Sequence, residues 1–132
     1  MIRFIYITIV LVSISLLTQC DHTEYPSGKR YYNAYCGNCH MEDGKGLSKL
    51  IPSLEKSQYL INQQDKLPCI IRNGIKSMVA DSSSEVQLSM PANVKLSEIE
   101  ILNICNYVNN SWSNKQAQMS LQEIKVKLGF CD

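Results

Sequence analysis

The pentapeptide Cys36-Gly37-Asn38-Cys39-His40 restricts this chain more than any other stretch. Two thiols three positions apart, with a histidine after the second, form the attachment pattern for a c-type haem. On a helical turn Cys36 and Cys39 share one face, placed to form thioethers with the two vinyl groups of one porphyrin. His40 then lies under the ring, where its imidazole binds iron from the proximal side. Other uses of C-x-x-C carry their own requirements. A thioredoxin-like redox pair wants a βαβ context, and a zinc site wants a second ligand pair; neither is visible. A plain disulfide framework stays open on the motif alone, because a five-residue pattern also arises by chance.

The length, 132 residues, suits one small domain and a processing segment. Residues 4–17 form an apolar run interrupted only by Thr8, Ser13 and Ser15 and preceded by Arg3. This is a positive n-region and an h-region of signal-peptide length, too short for a comfortable membrane span. The run closes on Leu17-Thr18-Gln19-Cys20, which resembles a bacterial lipoprotein cleavage site with Cys20 as the lipid-bearing first residue. Gln19 departs from the small residue usual before that cysteine. An uncleaved anchor, or ordinary secretion, are the other readings. All three place the remainder outside the cytoplasm, on the periplasmic side, where haem attachment and disulfide formation are both feasible. Removing residues 1–19 takes away Arg3 alone, leaving twelve basic side chains against twelve acidic ones. A neutral chain generates no strong field for nucleic acid or an acidic membrane surface. A core of about a hundred residues is small, and a haem would add apolar surface to it.

Residues 20–27 read as a polar linker with Pro26. A helix is expected from Gly28 into the haem motif, and residues 28–116 as the main domain. After His40, Gly44 and Gly46 allow a tight reversal, and the apolar strip Leu50-Ile51-Pro52-Ser53-Leu54 follows. Residues 63–73 predict a short helix stopped by Gly74, with Pro68 near its start. Residues 75–88 show no helical period, and Asp81-Ser82-Ser83-Ser84 marks an exposed turn. Ser97-Glu98-Ile99-Glu100 is a capping-box sequence, and apolar positions recur after it at Ile101, Ile104, Cys105 and Val108. Asn109-Asn110 ends that helix, and residues 117–132 form a C-terminal extension with weak amphipathic character from 116 to 128. With no internal repeat and no strand-rich pattern, the expected fold is all-α with long connections.

An iron held by one histidine needs a sixth ligand. The only other histidine, His22, falls in the linker. Met90, placed before Pro91, is a candidate whose thioether would raise the reduction potential. On spacing alone it reads equally well as a core gap-filler. The ordered set of motifs resembles a class I, monohaem cytochrome c over residues 28–114. Gly28, Tyr32 and Cys36-Gly37-Asn38-Cys39-His40 are similar to that family's first helix, whose small and aromatic residues pack on an aromatic of the last helix, here Tyr107. Asp43-Gly44-Lys45-Gly46 and Ile51-Pro52-Ser53-Leu54 resemble its loop after the motif. Ser89-Met90-Pro91-Ala92-Asn93, running into Leu96-Ser97-Glu98-Ile99-Glu100, resembles its distal methionine loop and final helix, and Asn110-Ser111-Trp112 the exit from that helix. The resemblance implies three to four helices wrapped around one covalently attached haem. It also implies His40 and Met90 on the iron, with the Pro52 carbonyl orienting His40.

Cys69, Cys105 and Cys131 lie outside that pattern. Because Cys105 falls on the apolar side of the last helix and Cys69 starts the helix expected beside it, the favoured bridge is Cys69–Cys105. Cys131 is then free or bound in the tail; three small buried thiols are the alternative. A six-coordinate iron offers substrate no open position, so the expected function is one-electron transfer and not catalysis by this chain itself. Respiratory oxidases or reductases are the expected redox partners, reached from a membrane tether at Cys20. Lys45, Lys49, Lys76 and Lys95 flank the site, as surface cations or as contacts for an acidic partner. Two other classes stay in view. One is a ligand-binding or peroxidase-like haem protein, if Met90 does not ligate. The other is a fixed haem subunit of a larger oxidase or dehydrogenase.

Overall fold

The computed structural model describes Arg3, Tyr6 and residues 24–48, 50–79 and 87–131. The lipid position Cys20, His22, Lys49, the 81–84 turn and the rest of the expected signal segment lie outside the described residues. Helix α1 spans Pro26–Tyr35 and begins at its proline, whose fixed φ and missing N–H suit a first turn. The motif forms a separate helical turn, α2, over Gly37–His40. A short α3 (Gln58–Asn62) is capped by the Ser57 side chain, and a 3-10 turn over Gln64–Lys66 leads into α4 (Leu67–Asn73). Two strands, β1 (Ile75–Val79) and β2 (Gln87–Met90), pair antiparallel, with Ile75 opposite Met90. Helices α5 (Glu98–Asn110) and α6 (Leu121–Gly129) complete the chain, each opened by a reciprocal capping box, Ser97 with Glu100 and Ser120 with Glu123.

The core forms where α1 crosses α5. Gly28 lies so close to the partner helix that a Cβ there would run into the Asn103 carbonyl and the Tyr107 side chain. That closeness lets Tyr32, fully buried, reach Tyr107 at a ring separation of 5.3 Å and Trp112 at 5.0 Å. Ile101, Ile104, Cys105, Tyr107 and Val108 line the buried side of α5. The small hairpin of β1 and β2 is the one β-sheet among the described residues and leaves the expected all-α fold in place. It pairs Ile75–Val79 with Gln87–Met90 in a stretch whose sequence lacks a helical period.

The extension is part of the body of the molecule. Asn106 on α5 donates through Nδ2 to the Met119 carbonyl at 3.0 Å and accepts from the Met119 N–H at 2.8 Å. Ile124 on α6 is fully buried, and Lys127 pairs with Asp65. With α6 laid against α4, the chain end meets the first turn of that helix, and the disulfide is Cys69–Cys131, with Cα atoms 5.4 Å apart. The expected Cys69–Cys105 bridge is therefore incorrect. Cys105 is wholly buried on α5 as a free thiol, and burial raises its pKa well above the ordinary range. Breaking the 62-residue link by Cys131→Ser should lower the unfolding free energy by up to about 4 kcal/mol, read by denaturant melts of the haem-loaded protein.

The capping carboxylates give a pH dependence with a definite sign. Glu100 and Glu123 sit below the usual carboxylate range because they accept hydrogen bonds from the backbone and hydroxyl of Ser97 and Ser120. A carboxylate depressed in the fold contributes stability that is complete above its unfolded pKa, about 4.3 for glutamate, and disappears as pH falls through the folded value. Thermal melts should therefore be flat in this respect above about pH 5 and fall in more acid solution. The Glu100→Gln and Glu123→Gln double variant should show a shallower acid fall.

Candidate functional site

Cys36 closes the end of α1 and Cys39 lies on the next turn, whose form is set by hydrogen bonds from the Cys39 and His40 N–H groups to the Cys36 carbonyl at 3.1 and 2.9 Å. Both cysteines and His40 therefore line one cleft. Leu54, Leu67, Ile71, Ile104 and Val108 give its walls an apolar character. Met90 and Pro91 line the same cleft from β2 and the loop after it. Fifty residues of chain separate His40 from Met90, and the fold brings them to one cavity. Burial pushes the Cys36 thiol up to about 11, with the neighbouring Cys39 adding to the shift.

His40 is oriented by the loop that follows it. Its Nδ1 lies 3.3 Å from the Pro52 carbonyl oxygen. A carbonyl only accepts, so Nδ1 carries the proton and Nε2 is left as the lone-pair donor of the ring. Burial lowers the His40 pKa, against an opposing pull from the Pro52 carbonyl, which favours the neutral imidazole that can bind a metal. The loop approaches closely because Gly46, at φ 66°, has no side chain; a Cβ there would collide with the Ile51 and Pro52 carbonyls. Directly after His40, Met41 has φ 61° and ψ 159°, a conformation that costs a side-chain-bearing residue about 1–3 kcal/mol. The Tyr32 hydroxyl donates to the Met41 carbonyl at 2.7 Å and holds that peptide in place.

The opposite rim is held by α4. The Asn93 N–H is shared between the Ile71 and Arg72 carbonyls, at 3.2 and 3.1 Å, tying the loop after Met90 to the helix end. Gly74, at φ 70°, ends α4 where a Cβ would collide with the Met90 carbonyl. The sequence had suggested Gly74 only as a helix stop; its role against Met90 depends on strand pairing that no local signal announces. The sequence reading also missed α3, which adds Tyr59 and Leu60 to the cleft; Ser57, a capping residue, was the available signal.

A helical fold with a cleft presenting a C-x-x-C-H turn defines a c-type cytochrome domain. The family model for cytochrome c oxidase, cbb3-type, subunit III, matches residues 23–108, and the chain belongs to that family. No curated protein matches it. The domain accordingly carries a covalently bound c-type haem with its iron and serves haem-based electron transfer. The residues present fit that group: two thiols and an imidazole on one wall, a thioether on the rim, and apolar surface between. Gly74→Ala should destabilise the protein by about 1–3 kcal/mol, because both the left-handed backbone and the contact with Met90 must give way. Thermal denaturation of the haem-loaded variant measures it, and crystallography should show β2 displaced.

Proposed function

We propose that this chain is an exported, single-haem electron carrier in which His40 and Met90 would hold the iron and Cys36 and Cys39 would form the thioether attachments. The observation that carries the reading is that a histidine with an oriented ring and a methionine fifty residues away line one apolar cleft. The bound haem supplies a one-electron couple at its iron. The chain does the rest. Cys36 and Cys39 fix the macrocycle in one orientation, so that its position relative to the surface does not vary between turnovers. The Pro52 carbonyl, by accepting from Nδ1, makes the His40 ring a stronger donor. Met90 would supply a thioether ligand to the iron and deny that place to water or substrate, while the aliphatic walls would keep the surroundings dry and favour the higher potential that a thioether brings.

The domain corresponds to residues 28–116, with 117–132 as an extension and 20–27 as a tether from a lipid at Cys20. Among the described residues no helix is long and apolar enough to cross a membrane, so a membrane location rests on the leader and on Cys20. The family name supports a respiratory oxidase as the electron acceptor. It equally favours a second reading, in which the chain is a fixed haem subunit of such an oxidase. Purification at high salt separates the two: a shuttle is lost from the oxidase, and a subunit stays with it.

Met90→Ala tests the ligand set. The ferric protein should lose the methionine-to-iron band at the red end of its spectrum, become high-spin, bind carbon monoxide when reduced, and show a lower midpoint potential. An unchanged spectrum would reject Met90 as ligand. A wild-type protein that is high-spin and binds carbon monoxide readily would reject the carrier in favour of a ligand-binding haem protein.

A further inference from the structure

Between His40 and α3 the chain runs out and back in two arms, with Pro52 on the returning one. Both arms are gripped by the turn that follows α5. Trp112 Nε1 donates to the Glu42 carbonyl on the outgoing arm at 3.1 Å. The indole ring also covers Gly44, where a Cβ would lie 2.5 Å from the ring carbons. Asn114 takes hold of the returning arm: its Nδ2 donates to the Leu54 carbonyl at 3.0 Å, and its Oδ1 accepts from the Lys56 N–H at 2.8 Å. The two arms are joined by the Gly44 carbonyl, which accepts from the Leu54 and Glu55 N–H groups at 2.7 and 3.2 Å.

The gripping turn is itself under constraint. Trp112 and Ser113 both have positive φ, 50° and 71°, which side-chain-bearing residues adopt only when their surroundings enforce it. The Asn114 N–H closes the turn on the Ser111 carbonyl at 2.8 Å, and Asn114 Nδ2 also reaches back to the Val108 carbonyl at 2.9 Å. That arrangement presents the indole to one arm and the amide to the other. Glu42 and Leu54 are 70 and 60 residues away from their partners in sequence, so local loop chemistry does not demand these bonds. Pro52 stands two residues before Leu54, and its carbonyl is the acceptor for His40 Nδ1.

We propose that Trp112 and Asn114 are positioning residues for the axial histidine: by fixing both arms of the loop they hold the Pro52 carbonyl against His40 and thereby tune the iron–histidine bond. The inference rests on His40 being an iron ligand. If the grip loosens, the hydrogen bond to Nδ1 weakens, the imidazole becomes a poorer donor, the ferric state loses stabilisation, and the midpoint potential rises. Neither residue lines the cleft, and both act through Pro52.

The test uses the full haem-loaded chain. Trp112→Phe keeps an aromatic ring over Gly44 and removes the N–H. Asn114→Leu removes the donor to the Leu54 carbonyl and the acceptor for the Lys56 N–H without adding a charge. The readouts are the midpoint potential and the solvent exchange of the His40 Nδ1 proton, followed by NMR in the ferrous state. Each variant should raise the potential, and exchange should quicken on the order of tenfold, as expected for one weakened hydrogen bond. Ile124→Val, a core change in α6 remote from the loop, is the comparison that lowers stability without moving either readout. Unchanged exchange and potential in both folded variants, or equal shifts in Ile124→Val, overturn the proposal. His40→Ala separates this from the underlying assignment: retention of the wild-type low-spin spectrum there would overturn His40 as ligand, whatever the loop variants show.

Discussion

The contact between α1 and α5 at Gly28 is the interaction on which the rest of the molecule depends. Two helices approach until backbone meets side chain, because one of them presents no Cβ at the crossing. From that single closeness follow the positions of Tyr32, Tyr107 and Trp112, whose rings meet pairwise at 5.0 to 5.4 Å. The end of α1 carries Cys36 and leads into His40; the end of α5 carries the turn with Trp112. Crossing the helices therefore sets the haem motif and its distant supports in one frame. Aromatic pairs of this geometry add about 0.5–1.5 kcal/mol each beyond their buried area, so the cluster is stiff as well as well placed.

Stiffness matters because the segment beside the histidine is strained. Met41, Trp112 and Ser113 all have positive φ without being glycine. Such residues persist where hydrogen bonds over-determine them. Here the bonds come from Tyr32 on one side and from the loop itself on the other, as the Met41 carbonyl accepts from both the Tyr32 hydroxyl and the Gly44 N–H. Gly44 and Gly46 absorb the closest approaches, one under the indole and one against the Pro52 peptide. The wall that carries His40 is thus a network with few ways to relax. An electron-transfer centre benefits from that, since little movement need accompany a change of charge.

The wall that carries Met90 is built differently. Met90 sits on a two-stranded hairpin, an element marginal by itself in water. Its support comes from α4, through the shared Asn93 N–H and the glycine at the helix end. Helix α4 and the 3-10 turn before it are in turn secured to α6 and the residues just after it by the Cys69–Cys131 disulfide and the Lys127–Asp65 pair. The C-terminal extension, outside the span of the family match, is consequently tied to the wall that carries the methionine.

Much of this was legible in the linear chain. The haem motif, the capped last helix and the glycines at Gly44 and Gly46 announce themselves through short-range chemistry, in which helical spacing, side-chain caps and backbone freedom act over a few residues, whereas the close packing at Gly28 was implied by the family resemblance. The methionine before Pro91 could be nominated but not located, since nothing local says that it faces the same cavity as His40. The cysteine pairing went wrong for a related reason. Cys105 and Cys69 look suitable because both belong to helices, whereas the outcome turns on α6 packing along α4 and delivering Cys131. The hairpin, the grip of Trp112 and Asn114, and the role of Gly74 are likewise matters of which segments meet. The amino-acid sequence alone determined the chemistry available, two thiols, an imidazole and a thioether in a small helical domain. Only the tertiary structure decided which of those groups share a cleft and what holds them there, because contacts across 60 or 70 residues depend on packing of whole elements and leave no periodic or local mark.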